Sequence, residues 1–316
     1  MSSFILIPKI KIQNANALSS PYTIGFPAMT AWAGAVHALE RKLGLINSDD
    51  ISFGSFAIIS HDFKCHTYKG KGDYVESIVG TGNPLNKKGQ RQPFIEEARC
   101  NLTVSLLIEL TIKEKETAND FFGNSDSNDI DLEAVLNDVP NILQSRMKFA
   151  GGDVLSFGEI SLERSDGEDL KPLLKKLMPG YALIERRDLV QSSMNEGNDG
   201  LDSILNCLKV MHRCEVVTED DKEEVFWKSF RKTSGWIVPI ATGFQGVTDL
   251  AFAEKQRDPE TPHRFAEAIL TLGEFIMPYK VKGINEILWR TQYDEENNLY
   301  LCKQKLEYKT KELQHG

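Results

Sequence analysis

The chain has 316 residues, of which 41% are hydrophobic and 26% charged, and a formal net charge of −9 at pH 7. That balance excludes a wholly disordered polypeptide, and the length suffices for a core built without staples, in one large domain or two modest ones. No run approaches the roughly 18 apolar residues a membrane helix needs, and MSSFILIPK has no basic region of a signal peptide, so a cytoplasmic protein away from any membrane is expected.

In chain order, FILIPKIKI (4–12) alternates apolar and polar residues and predicts a strand. QNANALSSPYTIGFP, rich in Asn, Ser, Gly and Pro, predicts an irregular path. Residues 28–44 have helical period, with Trp32, Val36, Leu39 and Leu43 on one face and Gly44 as a stop. Residues 53–68 read as a second strand, and 69–93, with five glycines and two prolines, as a loop or loosely paired hairpin. The cleanest strand is 99–112, where Leu102, Val104, Leu106, Ile108, Leu110 and Ile112 face one way and Thr103, Ser105, Glu109 and Thr111 the other. A helix through 141–148 leads to Gly151 and Gly152, which open another strand. Residues 1–160 therefore read twice as strand–helix–strand. This is the α+β order of a ferredoxin-like, RNA-recognition-motif-type antiparallel sheet with helices on one face.

Beyond it, 171–190 mixes a helix with a short strand, 195–230 reads as helical and charged, and 234–244 as a strand. Residues 263–276 predict an amphipathic helix, and 288–306 a hairpin turning near 295–298. These elements would form a C-terminal α/β portion, 161–316, packed on the first 160 residues or continuous with them.

The negative charge is unevenly placed. Residues 114–145 carry eight acids against Lys115, and 215–225 six against Lys222, which leaves the rest of the chain at +3. Non-specific DNA binding is disfavoured, but a confined RNA site is not. The five cysteines are scattered, with no CxxC pair, as in a reducing compartment. Cys207, His212 and Cys214 fit no common zinc spacing, and there is no Walker loop, GxSxG or HExxH. Neither a metal nor a cofactor is expected. His37 and His61 are the candidates for a general base, without an assignable partner.

The richer signal is polar. Gln13, Asn14, Asn16, Ser19, Ser20, Tyr22 and Thr23 follow the first strand, and such amides and hydroxyls can bond phosphates and base edges. Asn83, Asn86, Lys87, Lys88 and Arg91 form a second polar and basic patch in the Gly/Pro-rich segment. Arg99 and Lys148 supply cations, Gly151 and Gly152 let backbone approach a ligand closely, and Tyr22 and Trp236 offer stacking faces. The competing reading of each patch is a solvated loop that satisfies its own backbone.

Nine segments in order, IPKIKIQNANALSSPYTIGFP, GAVHALERKLG, GNPLNKKG, EEARCNLTVSLL, AGGDVL, LMPGYALIERRDLV, SGWIVPI, RFAEAILTLGE and ILW, closely resemble the Cas-five-type (second Csy) subunits of type I-F CRISPR surveillance complexes. The resemblance implies a RAMP protein with a ferredoxin-like palm and an inserted thumb, for which 69–93 is the candidate. It implies a non-catalytic subunit that holds the five-prime handle of the crRNA, pairs with the large subunit and abuts a backbone subunit. Target double-stranded DNA is then met through the assembled complex. The alternative carried beside it is a metal-independent RAMP endoribonuclease acting on repeat RNA, with His37 or His61 as base.

Overall fold

The computed structural model describes residues 2–45, 51–80, 84–91, 97–112, 132–165, 171–219, 222–256 and 258–305. Its first strand, β1 (Ser2–Asn16), runs four residues past the alternating run. Register shifts after Ile7 and Ile12, with positive φ at Lys9 (50°) and Asn14 (58°), absorb the break in alternation. The segment expected to be irregular then folds into a small hairpin, β2 (Leu18–Ser20) and β3 (Thr23–Ile24). α1 (Met29–Lys42) follows, burying Met29, Trp32, Val36 and Leu39 along one stripe. Arg41 and Lys42 lie in its last turn, where cations complement the helix dipole, and Gly44 at φ 77° ends it.

β4 (Ile51–Cys65) continues into β5 (Thr67–Tyr68), which pairs with β6 (Ser77–Ile78) at the root of a largely exposed stretch that includes 69–80 and 84–91. β7 (Arg99–Ile112) lies between β1 and β4 and is antiparallel to both. α2 (Leu132–Arg146), β8 (Lys148–Phe149) and β9 (Gly152–Ser156) come next, and β9 pairs with β1 on the edge away from β7. The order β4–β7–β1–β9 thus places the first strand between the third and fourth. β10 (Ser161–Ser165) completes that edge alongside β1.

The later elements are α3 (Lys171–Lys176), β11 (Tyr181–Glu185), α4 (Arg187–Asn195) and α5 (Gly200–Leu208). A long hairpin of β12 (Val210–Glu219) and β13 (Lys222–Arg231) follows, then β14 (Ile237–Gly246), β15 (Ala266–Ile276), β16 (Trp289–Asp294) and β17 (Leu299–Gln304). The architecture is mixed α/β, mostly one antiparallel sheet of eleven strands with a few helices.

β4 uses its second edge twice: Phe56 pairs with Trp289 of β16, and Ile59 and Ser60 with Ala182 and Tyr181 of β11. Strands β4, β16, β17, β14, β15 and β11 therefore close into a ring. Buried polar groups tie the ring across. The Gln304 side chain accepts from the Glu185 amide (2.7 Å), the Gln304 amide donates to the Glu185 carboxylate (3.1 Å), and Trp289 Nε1 donates to the Leu183 carbonyl (2.9 Å).

Two expectations are corrected. Residues 263–276 are not a helix: Thr271, Leu272 and Gly273 are buried in β15 between β14 and β11. A Cβ on Gly273 would lie 2.9 Å from Leu183 and 3.0 Å from Ile240, so the sheet packs onto bare backbone there. Helix-forming residues with helical spacing are overridden by tertiary pairing. The helical reading of 195–230 holds only to Leu208. The β-branched and aromatic runs on either side of the acidic run pair as β12 and β13 instead. In the first 160 residues α1 and α2 lie on one face and cover Ile5, Ile7, Ile10 and Leu106, while Leu173 and Leu174 of the later α3 cover Phe4, Leu6 and Leu107 on the other.

Candidate functional site

Where β1 ends, the backbone turns sharply and is held from three sides. The Asn14 amide donates to Asn101 Oδ1 (2.9 Å), the Asn16 amide to the Ala150 carbonyl (2.8 Å), and the Ala17 amide to the Ala98 carbonyl (2.9 Å). Asn16 Oδ1 accepts from the Leu18 amide (2.9 Å), which starts the β2–β3 hairpin. In the facing turn between β8 and β9, Ala150 (φ 47°) and Gly151 (φ 76°) are both left-handed. For a residue with a Cβ that conformation costs about 1–3 kcal/mol, and here it faces a cleft. Gly152 allows the close approach: a Cβ there would lie 2.7 Å from Ile12 Cγ2 and 2.8 Å from the Gln13 carbonyl.

Two clefts adjoin along α1. One, of about 490 Å³, is lined by Asn16, Ser19, Ala28, Ala31, Arg99 and Gly151, among others. The other, of about 660 Å³, shares Ala31, Ala150 and Gly151 and extends past Gly34 and Ala38 to Lys42, Arg146, Lys148 and Asp153. The small residues of α1 leave its backbone open to a ligand along this groove. Arg99 Nη1 points to the Asn14 carbonyl (3.5 Å), its Nη2 pairs with Glu97, and its Nε is buried without a hydrogen-bond partner among the described residues. Lys148 pairs with Asp153, and Lys42 Nζ donates to the Arg146 carbonyl. The groove thus gathers four cations, two of them balanced by carboxylates, against a neutral floor of small residues.

Of the residues singled out in the sequence, Asn16, Ser19, Arg99, Lys148 and Gly151 line this groove. Gln13 and Asn14 are exposed beside it, and Gly152 is buried against β1. Ser20 is buried, and its hydroxyl, like that of Ser19, bonds Thr23 Oγ1 (2.7 and 2.9 Å), so the three hydroxyls satisfy one another. Tyr22, at the hairpin tip, is 73% exposed. Asn86, Lys87, Lys88 and Arg91 lie on the projecting segment, away from the groove. Asn86 Oδ1 accepts from the amides of Lys88 and Gln90 (both 2.9 Å), and the three cations are exposed. Asn83 lies outside the described residues. Trp236 lines a separate aromatic cavity. Sequence reasoning missed Lys42 and Arg146. The small-residue stripe of α1 ending at Lys42 was a legible signal for the first, whereas Arg146 is exposed at the end of α2.

His61 donates or accepts at both ring nitrogens, Nδ1 with the Pro179 carbonyl and Nε2 with Ser105 Oγ (2.6 Å). Burial holds its imidazole below the ordinary histidine pKa, opposed by the Pro179 contact and aided by Lys9. His37 is exposed and sits 3.6 Å from Glu40, whose other oxygen accepts the Phe53 amide (2.7 Å). Cys207 is buried in α5 and Cys214 exposed on β12. No helix of the described residues is long and apolar enough to cross a membrane.

Compared with known proteins, residues 5–302 match the family described as CRISPR-associated protein (Cas_Csy2). The chain is 29% identical over 323 residues to "CRISPR-associated protein Csy2" of Pseudomonas aeruginosa (strain UCBPP-PA14), with 94% of each covered.

Proposed function

The chain belongs to the Csy2 family of CRISPR-associated proteins, and on that premise we propose that it is the non-catalytic RNA-binding subunit of a type I-F surveillance complex in the cytoplasm. It holds the five-prime handle of the crRNA, pairs with the large subunit and abuts a backbone subunit, so that the assembled complex can search double-stranded DNA. The observation that carries this reading is the groove along α1, where Arg99, Lys42, Arg146 and Lys148 surround small residues and a left-handed Ala150–Gly151 turn. Cations there position phosphates, and close backbone approach leaves room for a strand. The β4–β7–β1–β9 order, with α1 and α2 as the crossovers, supports a ferredoxin-like RAMP palm, and the largely exposed residues 69–80 and 84–91 support the thumb.

The endoribonuclease alternative is less well supported. His61 has both nitrogens engaged and its proton affinity lowered, and His37 faces a carboxylate already bonded to backbone. The test is crosslinking of crRNA within the assembled complex, followed by mapping of the attached peptides. Handle nucleotides crosslinked to 13–19, 97–101 and 146–153 support the reading, and their absence from all three overturns it. Hydrolysis of repeat RNA by the purified chain, abolished by one histidine substitution, would restore the enzyme.

A further inference from the structure

The β2–β3 hairpin lines two sites. Leu18 and Ser19 border the groove, whereas Ile24 and the following Gly25 border a cavity of about 370 Å³. Five aromatic side chains build that cavity. Trp236 stands 5.1 Å from both Tyr181 and Phe275 between ring centres, Phe26 lies 5.4 Å from Phe275, and Phe63 lies 6.1 Å from Phe26. Trp236 remains 53% exposed and Phe63 37%. Large rings left partly uncovered around a cavity are what protein interfaces use as anchor sites.

The polar groups of the cavity decide what fits. Ser60 is buried, and His61 has both nitrogens engaged and its pKa lowered by burial. That leaves Asp62, an exposed carboxylate with no hydrogen bond or ion pair among the described residues and the only charged group lining the cavity. Ring faces carry negative quadrupole charge, so aromatic walls and a carboxylate act in the same sense and favour a cation. A nucleotide brings its own negative phosphate to this rim, and among the described residues no lysine or arginine lines the cavity to receive it. Arginine suits the site better than lysine. Its planar guanidinium stacks on an indole and meets a carboxylate with two parallel hydrogen bonds. Val238, Pro239 and Ile24 cover its methylene stem.

We propose that the cavity between β4, β11 and β15 is a receptor for an arginine side chain of another subunit of the complex, stacked on Trp236 and paired with Asp62. The proposal rests on the reading of the chain as a subunit of a surveillance complex and stands apart from its handle contacts. It is tested in the reconstituted complex, with tagged chain, its partner subunits and crRNA, by measuring retained partner protein and retained RNA separately. Asp62→Asn is expected to lower partner retention about tenfold and Asp62→Lys further, while Trp236→Phe stays close to wild type and Trp236→Ala does not. An arginine-to-aspartate change in the partner that restores assembly with Asp62→Lys identifies the occupant. Because Asp62 is exposed, its variants should melt with the wild type, which separates docking from folding. Wild-type retention with both Asp62 variants overturns the proposal. So does a loss of RNA with partner retention intact, which would give the cavity to a nucleobase.

Discussion

Replacing Gly152 by alanine drives a methyl group into β1. The added carbon would sit 2.7 Å from Ile12 Cγ2, 2.8 Å from the Gln13 carbonyl and 2.9 Å from Ala15 Cα, and two of these three atoms are backbone. Carbon contacts settle near 3.5 Å or beyond, so β9 must retreat by about 0.7 Å. A side-chain rotation cannot relieve that, and the penalty belongs in the upper part of the overpacking range, about 2–3 kcal/mol. With an unfolding entropy of about 2.1 cal/mol/K per residue, each kcal/mol moves the Tm of a chain this size by about 1.5 °C, so a fall of about 3–5 °C is expected. Gly151→Ala is the control. Its Cβ meets nothing closer than Arg99 Nη1 at 4.0 Å, and its penalty of about 1–2 kcal/mol comes from φ 76° alone. Asparagine, which tolerates the left-handed region, should recover part of that loss at 151 but none at 152. Scanning calorimetry on the full chain decides the matter. A Gly152→Ala protein melting within a degree of wild type, or Gly152→Asn melting above Gly152→Ala, would refute the packing argument.

Arg99→Ala should weaken binding of handle RNA by about tenfold and flatten the slope of log affinity against log salt by about 0.7, read by fluorescence anisotropy between 50 and 300 mM salt, roughly the range where counterion release dominates. Alkylation followed by mass spectrometry should mark exposed Cys214 first. Burial pushes the thiols of Cys100 and Cys302 up to about 12, so both should stay unmodified until the chain unfolds. His61 has a folded-state pKa lowered by burial, with Lys9 adding to the effect, so its contribution to stability is complete above the unfolded value of 6.5 and fades as pH falls toward the folded one. Urea titrations at pH 7.5 and 5.5 should therefore show a smaller acid-induced loss for His61→Gln than for wild type, and equal losses would remove His61 from the account.

Local rules carried the reading wherever the chain obeys one period at a time. β7 alternates except at Leu107, which is buried on the opposite face under α3, and α1 shows its buried stripe at Met29, Trp32, Val36 and Leu39. β15 fails the same rule. Its apolar residues serve both faces of a ring strand, so their spacing imitates a helix. The β12–β13 pair hid behind its acidic run, although Val216, Val217, Thr218, Val225, Phe226 and Trp227 are all strand formers. At the groove, Arg99, Asn16 and Gly151 were legible as residue types placed beside glycines and turns. The left-handed Ala150 was not, since nothing about alanine announces it. Nor can a sequence show that hydroxyls at 19, 20 and 23 would turn toward one another rather than toward a ligand.

The double use of one edge of β4 bears on how the polypeptide comes off the ribosome. Phe56 is made early, yet the strand that covers it at Trp289 arrives more than two hundred residues later. Until then a nascent chain carries a bare row of amides and carbonyls beside its most apolar stretch, the arrangement most prone to mispairing with neighbours. Synthesis alongside a chaperone, or alongside the subunits it will join, should accordingly raise the yield of this protein more than slowing its translation does.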